Sequence, residues 1–314
     1  LSTSADEARV EGEDFAIVFG RTPPPTPPPL GEGSSAGHIA EWRYHGREVL
    51  VDGPRLNLWR APTDNDAEEM AGRWREAGLD RMVEEVVDLR AEQAAPQQVR
   101  VRLSTRAVTP EGTLLATCAY EYVVIGSGDV VMDRTLELAA DLPPLPRVGM
   151  TMRVPGTHQR FAWYGRGPHE TYADRKASGR VDVWRSTVEA ELTPYVRPQE
   201  CGNKTDVRWA ALTDVEGAGL LAAALGEASF EVSAHPCTAH DLDAADHLHE
   251  LPRREEITFN VDAAQSGLGT AACGPGVLPA YQLTASRYHQ RVRLRPLAPG
   301  DEVVQLGRDR LPEE

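Results

Sequence analysis

The chain has 314 residues, of which 48 are acidic and 33 are basic, so its formal net charge is −15 at pH 7. This charge is spread along the chain, which disfavours binding to the phosphates of nucleic acid or to an anionic membrane surface. No apolar run approaches the about 18 residues of a membrane span, and the amino-terminal residues lack the apolar core of a signal peptide. We therefore predict a soluble globular protein with neither a nucleic-acid nor a membrane partner.

The first part of the chain predicts strands with one interruption. Residues 8–19 predict a strand with Phe15 and Phe19 on one face. Residues 21–37 contain six prolines and a glycine-rich run. They predict an exposed loop, because proline lacks the amide hydrogen that a sheet requires. Strand character returns in residues 38–52.

Two short helices are predicted from capping patterns. Asp66 and Glu69 have the spacing of a capping box, so we expect a helix that begins after Asp66 and turns Trp74 inward. Thr238 and Asp241 have the same spacing and predict a second helix start.

The other segments predict short antiparallel strands. Residues 117–125 and 130–138 are joined by GSGD, which is typical of a hairpin turn. Further strands are predicted at residues 99–103, 147–154, 209–213, 220–225, 230–233 and 257–262, and at the carboxy terminus. Turn signals about every 8 to 12 residues, without alternating helices, indicate an all-β sandwich. No repeat or strong boundary divides the chain, so we predict one domain over residues 1–314.

Neither the cysteines nor the histidines have the spacing of a metal site. The four cysteines are widely separated, which also excludes a disulfide scaffold and favours reduced thiols in a cytoplasm. His240 and His247 could share a helix face, but no carboxylate-rich pattern accompanies them. We predict no metal and no other cofactor in this chain.

Residues 160–209 contain three of the six tryptophans beside turns and clustered opposite charges. Aromatic faces combined with planar carboxylate, amide and guanidinium groups suit a sugar. Glu170, Glu200 and Asp206 are the local candidates for the pair of carboxyl groups that a glycosidase needs. Nearby arginines lower the pKa of a carboxyl group, however, so we predict ion pairs that hold loops and no catalytic residue.

Three motifs in this order, LWRAPTDND, WYGRGPHETYADR and PYVRPQECGNKTDVRW, carry a family resemblance. Over about residues 14–296 the chain resembles the carboxy-terminal, small-chain domain of large bacterial β-galactosidases of glycoside hydrolase family 2. The resemblance implies a large antiparallel supersandwich like that of galactose mutarotases, with one or two short helices. It also implies a retaining hydrolase of terminal β-D-galactosides such as lactose, whose catalytic glutamates and magnesium and sodium ligands belong to an upstream (β/α)₈ barrel.

The resemblance further implies that the domain completes a galactose pocket. The family places a pocket tryptophan in a loop that corresponds to residues 266–277, and Cys273 takes its position here. The implied partners are a β-galactoside or galactose, the remaining domains or large subunit of the same enzyme, and further copies in a homo-oligomer. Because the chain begins with Leu1 rather than Met, we expect a fragment. Because the resemblance places the catalytic residues in the upstream barrel, we expect this chain to be inactive alone.

Polar residues crowded into turns between strands are predicted to line a sugar-facing cleft, because functional groups concentrate in such turns. The predicted lining consists of Arg60, Asn65, Asp66, His169, Glu170, Arg175, Glu200, Asn203 and Cys273. The alternative is a buried polar network that fixes loops, in which each group is hydrogen-bonded.

Two other functions stay open from the sequence. One is a free-standing sugar-binding module or mutarotase-like enzyme. Of these, a mutarotase would need an acid/base pair, for which His169 with Glu170 or His158 with Glu200 could serve. A structural or interaction domain would use the proline-rich residues 21–37 as a ligand.

Overall fold

The structure is a computed structural model that describes residues 1–4, 7–20, 37–226, 228–269 and 276–309. Within these ranges, nineteen strands form two antiparallel sheets, and every helix is short. Among these residues no helix has the length and apolar character needed to cross a bilayer. The predicted proline-rich loop lies outside the described residues except for Gly37.

One sheet has ten strands: β1 (Ser2–Thr3), β2 (Glu7–Glu11), β3 (Phe15–Gly20), β4 (Ile39–Tyr44), β5 (Arg47–Leu50), β6 (Asp52–Asn57), β11 (Arg147–Pro155), β14 (Lys204–Val207), β17 (Phe230–His235) and β18 (Glu256–Gln265). The other has nine: β7 (Val83–Ala95), β8 (Gln98–Val108), β9 (Leu114–Ile125), β10 (Val130–Leu138), β12 (Arg160–Gly167), β13 (Arg180–Thr187), β15 (Trp209–Thr213), β16 (Gly219–Ala224) and β19 (Arg287–Leu297). The α-helices are α1 (Asp64–Glu69), α2 (Ala71–Glu76), α3 (Ala239–Ala244) and α4 (Val303–Leu306), and the 3₁₀ helices are Leu79–Arg81, Glu189–Glu191, Leu248–Glu250 and Pro279–Tyr281.

The two sheets enclose one large apolar core. The ten-stranded sheet runs β1-β2-β3-β4-β6-β11-β18-β17-β14, with β5 paired to β4, and the nine-stranded sheet runs β13-β12-β15-β16-β19-β10-β9-β8-β7. Trp42, Met150 and Phe259 from the first sheet belong to the same buried cluster as Tyr122 and Trp163 from the second. The predicted sandwich is therefore confirmed, and so is the hairpin between β9 and β10.

The ten-stranded sheet carries a polar face opposite its core face, because successive side chains of a strand point to opposite sides. In β18, Phe259 and Val261 enter the core, whereas the intervening strand positions hold Thr258, Asn260 and Asp262. The neighbouring strands β6, β11 and β17 continue this polar face with side chains that pair across the ladder. This face and the loops against it hold the polar networks described below.

The predicted first strand is wrong in its extent, because residues 8–19 form two strands, β2 and β3, that turn at Gly12. The amide of Gly12 donates to the carbonyl of Phe15 at 3.0 Å. A β-carbon at Gly12 would lie 2.1 Å from the ring of Phe15, so a larger residue there would displace that ring.

The first helix begins three residues earlier than predicted, at Asp64 rather than after Asp66. Thr63 is its N-cap, and its hydroxyl accepts from the amide of Asp66 while the Asp66 carboxylate accepts from the amide of Thr63. The predicted capping pair of Asp66 with Glu69 is therefore wrong, because Asp66 is itself the acid at the third helical position of the box that Thr63 begins. Trp74 is buried, and α3 begins after Thr238 with the predicted capping box.

Candidate functional site

Arg60 connects the segment before α1 to the loop that follows β18. Its guanidinium donates to both carboxylate oxygens of Asp66, at 3.0 and 2.7 Å, and to the carbonyls of Ser266 and Gly267, at 2.7 and 3.0 Å. The side chain of Arg60 is fully buried. Burial acts to lower its pKa, but the Asp66 carboxylate more than offsets this and the pKa is raised. Arg60 is therefore a charged clamp on the backbone of the loop.

Asn65 and Asp174 hold the next two residues of the same loop. The Nδ2 of Asn65 donates to the carbonyl of Leu268 at 2.9 Å, and the Asp174 carboxylate accepts from the amides of Leu268 and Gly269 at 3.1 and 2.9 Å. We call residues 266–269 the loop root. The predicted lining residue Cys273 lies just beyond the loop root, outside the described residues.

Glu170 anchors the turn that contains Gly202. Its Oε2 accepts from the Gly202 amide at 2.7 Å and from the Thr193 hydroxyl at 3.2 Å, and its Oε1 accepts from the Tyr195 hydroxyl. Gly202 has a φ of +73°, and a β-carbon there would lie 2.6 Å from the carbonyl of Glu191. This turn therefore requires both a glycine and an acceptor that Glu170 supplies.

Asn203 links the same turn to strand β17. Its Nδ2 donates to the carbonyl of Thr171 at 3.0 Å and to the Glu231 carboxyl at 2.6 Å. Although Glu231 is partly accessible, protein atoms surround its carboxyl group, and this burial raises the pKa of Glu231 to about 8. Glu231 is therefore protonated at neutral pH.

Glu200 belongs to a buried charged cluster on the polar face. The guanidinium of Arg147 lies 3.0 Å from Glu200 and 3.0 Å from Asp262, and Gln265 donates to Glu200 at 3.3 Å. All four side chains are at most 4% exposed. Burial raises the pKa of Asp262 to about 7, opposed by Arg147 and assisted by the charge of Glu200.

His169 and Arg175 are the exposed members of the predicted lining. The ring Nε2 of His169 lies 2.9 Å from the hydroxyl of Ser178. The backbone amide of Arg175 donates to the carbonyl of Tyr172 at 2.8 Å, and its side chain extends to the surface. Both side chains can therefore contact a ligand or another domain without breaking a buried hydrogen bond or ion pair.

The structure divides the predicted lining into two groups. Arg60, Asp66, Glu200 and Asn203 are buried and have partners within the protein, as the loop-fixing alternative requires. Asn65, Glu170, His169 and Arg175 reach the surface to varying degrees. Whether these residues contact a sugar stays a prediction.

The two predicted acid/base pairs are not brought together. His169 contacts Ser178, whereas Glu170 accepts from Tyr195. Glu200 is paired with Arg147, and Asp214 is the charge that acts on the buried ring of His158. Within the described residues, no group of three or more His, Cys, Asp or Glu is arranged to hold a metal ion.

Three important residues were missed from the sequence. Asp174 stands in the motif WYGRGPHETYADR, but its hydrogen-bond partners follow 94 and 95 residues later. Arg147 and Asp262 occupy strands, where a charged residue beside an apolar one is typical of an exposed face. Only the structure shows that Arg147 and Asp262 are buried and paired with each other, unlike the exposed charged residues that the same pattern predicts.

Comparison with known proteins places these residues in a family. The family model described as beta galactosidase small chain matches residues 33–294. The β-galactosidase of Priestia megaterium (strain DSM 319 / IMG 1521) is 35% identical over 294 residues, which cover 92% of this chain and 26% of that protein. The β-galactosidase of Vibrio cholerae serotype O1 is 32% identical over 301 residues, which cover 92% and 27%. The chain thus spans about a quarter of the length of these relatives.

A solved structure shares the fold. The galactose 1-epimerase from Lactobacillus acidophilus NCFM matches with a TM-score of 0.51 at 9% identity, over 93% of this chain and 94% of that one. This likeness concerns the fold alone and confirms the predicted galactose-mutarotase-like supersandwich. The sequence matches decide the family: this chain belongs to the β-galactosidase small-chain family.

Proposed function

We propose that this chain forms one wall of the galactose pocket of a β-galactosidase, whose remaining domains perform the hydrolysis. The observation that carries this proposal is the loop root, which Arg60, Asn65 and Asp174 hold by five hydrogen bonds. A loop that presents its tip to a ligand needs a rigid base, since a misplacement of about 1 Å costs binding and rate.

The positions of the acidic side chains favour a role in forming the pocket over a role in catalysis. A retaining glycosidase needs two carboxyl groups about 5 Å apart that face the sugar. Glu200 and Asp262 instead share Arg147 in the interior, and Glu170 is occupied by the turn at Gly202. We infer that the nucleophile, the acid/base and the magnesium and sodium ligands belong to an upstream barrel, and that this chain alone is inactive.

Exposed apolar side chains near the site support contact with the other domains. Val196 is 91% exposed and follows Tyr195, which donates to Glu170. Leu278 is 48% exposed, and Tyr281 is 37% exposed and lies against the loop root through its carbonyl. Burying such groups against a neighbouring surface is favourable, and about three quarters of the length of the relatives lies outside this chain.

The proposed enzyme hydrolyses terminal β-D-galactosides such as lactose with retention, acts in the cytoplasm and assembles as a homo-oligomer. The names of the relatives support the galactoside, and the unpaired cysteines Cys118, Cys201 and Cys237 are consistent with a reducing compartment. The remaining domains could be joined to this chain or form a separate large subunit.

The test uses Asp174→Asn in the enzyme assembled from this chain and its remaining domains. The substitution keeps the shape of Asp174 but replaces one acceptor oxygen of the loop root with a donor. We expect KM for a β-galactoside to rise at least about tenfold, because charge-assisted hydrogen bonds are among the strong ones. The control Asp182→Asn removes an equal charge from the exposed edge strand β13 and leaves KM unchanged.

The chain alone is assayed in the same experiment. Turnover of the galactoside by the isolated chain would contradict the proposal that the other domains perform the hydrolysis. An unchanged KM in Asp174→Asn would contradict the proposal that the loop root helps to form the pocket. A rise in KM together with an inactive isolated chain supports it.

A further inference from the structure

A cleft of about 80 Å³ opens on the polar face of the ten-stranded sheet, beside Trp59. Strands β6, β11 and β18 form its floor, and the segments around Leu79 and Thr238 form its walls. Its volume admits roughly six ordered waters, which is the scale of one small ring. Its polar lining includes Asn57, Thr151, Arg153, His240, Thr258 and Asn260.

Trp59 lines this cleft and has an unused hydrogen-bond donor. The residue is 3% exposed, and among the described residues its Nε1–H has no acceptor within hydrogen-bonding distance. A buried donor without a partner costs about 1–3 kcal/mol. The ring is held in place by Trp74, edge-on at 6.3 Å, and by His240, stacked at 6.2 Å.

Two amides on the floor are oriented by their neighbours. The Nδ2 of Asn57 donates to the Oδ1 of Asn260 at 3.3 Å, and the Oδ1 of Asn57 accepts from the Trp59 amide at 3.0 Å. The Nδ2 of Asn260 donates to the hydroxyl of Ser233 at 3.1 Å. Each amide nitrogen carries a second N–H. The floor thus offers donors whose direction is set before any ligand arrives.

The two arginines that line the cleft, Arg55 and Arg153, are paired with acids outside it. Asp52 lies 2.7 Å from Arg55 and 3.4 Å from Arg153, and Glu256 lies 3.8 Å from Arg153. Glu84 also lines the cleft, but its carboxylate is occupied by buried partners on the other side. An anion or a cation would therefore gain little, whereas a neutral molecule with several hydroxyls can match the lining.

We propose that this cleft binds one neutral, hydroxyl-rich ring of the monosaccharide class. The amides of Asn57 and Asn260 and the hydroxyl of Thr258 bond the hydroxyls of the ring, which lies beside the indole of Trp59. The site is separate from the loop root and does not depend on the proposed role in a β-galactosidase. Trp59, which lines the cleft, directly precedes Arg60, which binds the loop root.

The test is a titration of the chain with its tryptophan indoles labelled with ¹⁵N. The six tryptophans produce six indole signals, and the spectrum of Trp59→Phe identifies the signal of Trp59. D-Galactose and D-glucose are the neutral probes, and inorganic phosphate is the anionic probe. We expect a saturable shift of the Trp59 signal with at least one sugar and none with phosphate. The absence of a saturable shift with both sugars, or a stronger response to phosphate, overturns the proposal.

Matched variants locate the binding. Thr258→Val removes one lining hydroxyl at nearly constant shape, and we expect it to weaken sugar binding about three- to tenfold. Thr135→Val makes the same change in β10, at a similarly half-buried position on the outer face of the other sheet, and leaves binding unchanged. Equal affinities in the two variants overturn the assignment to this cleft. Asp174→Asn leaves the Trp59 shift intact, so a failure here is distinct from a failure at the loop root.

Discussion

The carboxylate of Asp66 accepts two hydrogen bonds from Arg60 and a third from the amide of Thr63. One buried acid therefore completes the cap of α1 and fixes the guanidinium that holds the loop root. Because neither charge reaches water, each depends on the other for its stability in the interior.

Replacing Arg60 with alanine should destabilise the protein strongly. The variant leaves the Asp66 carboxylate buried without its cation and frees the carbonyls of Ser266 and Gly267, so we expect a loss of about 3–5 kcal/mol in the free energy of unfolding. Urea denaturation measures this. Arg253→Ala is the control, because Arg253 pairs with Glu189 at 2.7 Å while both side chains are about half exposed, and such a pair contributes at most about 1 kcal/mol. Similar losses in the two variants would contradict the role of Arg60.

Gly149 should not tolerate alanine, because Asp262 occupies the space that a side chain would need. A β-carbon at Gly149 would lie 1.7 Å from the Oδ1 of Asp262 and 2.8 Å from its Cα. We expect Gly149→Ala to lower stability by at least about 2 kcal/mol, measured by thermal unfolding. Gly72 lies in α2 with nothing within 4 Å of its added β-carbon, so Gly72→Ala should stabilise by about 0.5–1 kcal/mol. A harmless Gly149→Ala would show that Asp262 can move away.

Stability should fall as the pH rises from about 4.5 to 8, because burial raises the pKa of Glu231 to about 8 from an ordinary 4.5. In this window the folded protein retains a proton that the unfolded chain releases, so the folded state binds more protons. The contribution of Glu231 to stability is fully present below pH 4.5, the pKa in the unfolded chain, and is lost as the pH rises through about 8, the pKa in the folded protein. Between these two pH values the free energy of unfolding falls by up to about 1.4 kcal/mol per pH unit.

Glu231→Gln should flatten this pH dependence, since glutamine stays neutral at every pH. Unfolding in urea between pH 5 and 9 measures the slope. Asp262, whose pKa is raised to about 7, leaves a residual slope of the same sign. Glu48→Gln changes an exposed acid in β5 and should preserve the full slope. If Glu231→Gln and Glu48→Gln have the same slope, Glu231 does not retain the proton.

Much of the fold could be predicted because its signals are local. The alternation of apolar residues in β9 and β10 and the GSGD turn between them involve neighbours in sequence, and so does the capping box of Thr238 with Asp241. The errors were also local. The turn at Gly12 interrupts an apolar run that predicts a single strand, and Asp66 has the spacing of an N-cap although it is the acid that completes the cap of Thr63.

The sequence by itself determined the family and the sheet-rich architecture, because the family motifs and the two-residue alternation of apolar side chains are properties of neighbouring residues. Only the tertiary structure decided which polar residues meet. Asp174 reaches the loop root across 94 residues, and Arg147 reaches Asp262 from the neighbouring strand. Burial then decides the protonation of such groups: water leaves the carboxyl of Glu231 when the strands and loops close around it, and this burial is the main reason that its pKa rises, with the charge of Asp262 adding to the rise.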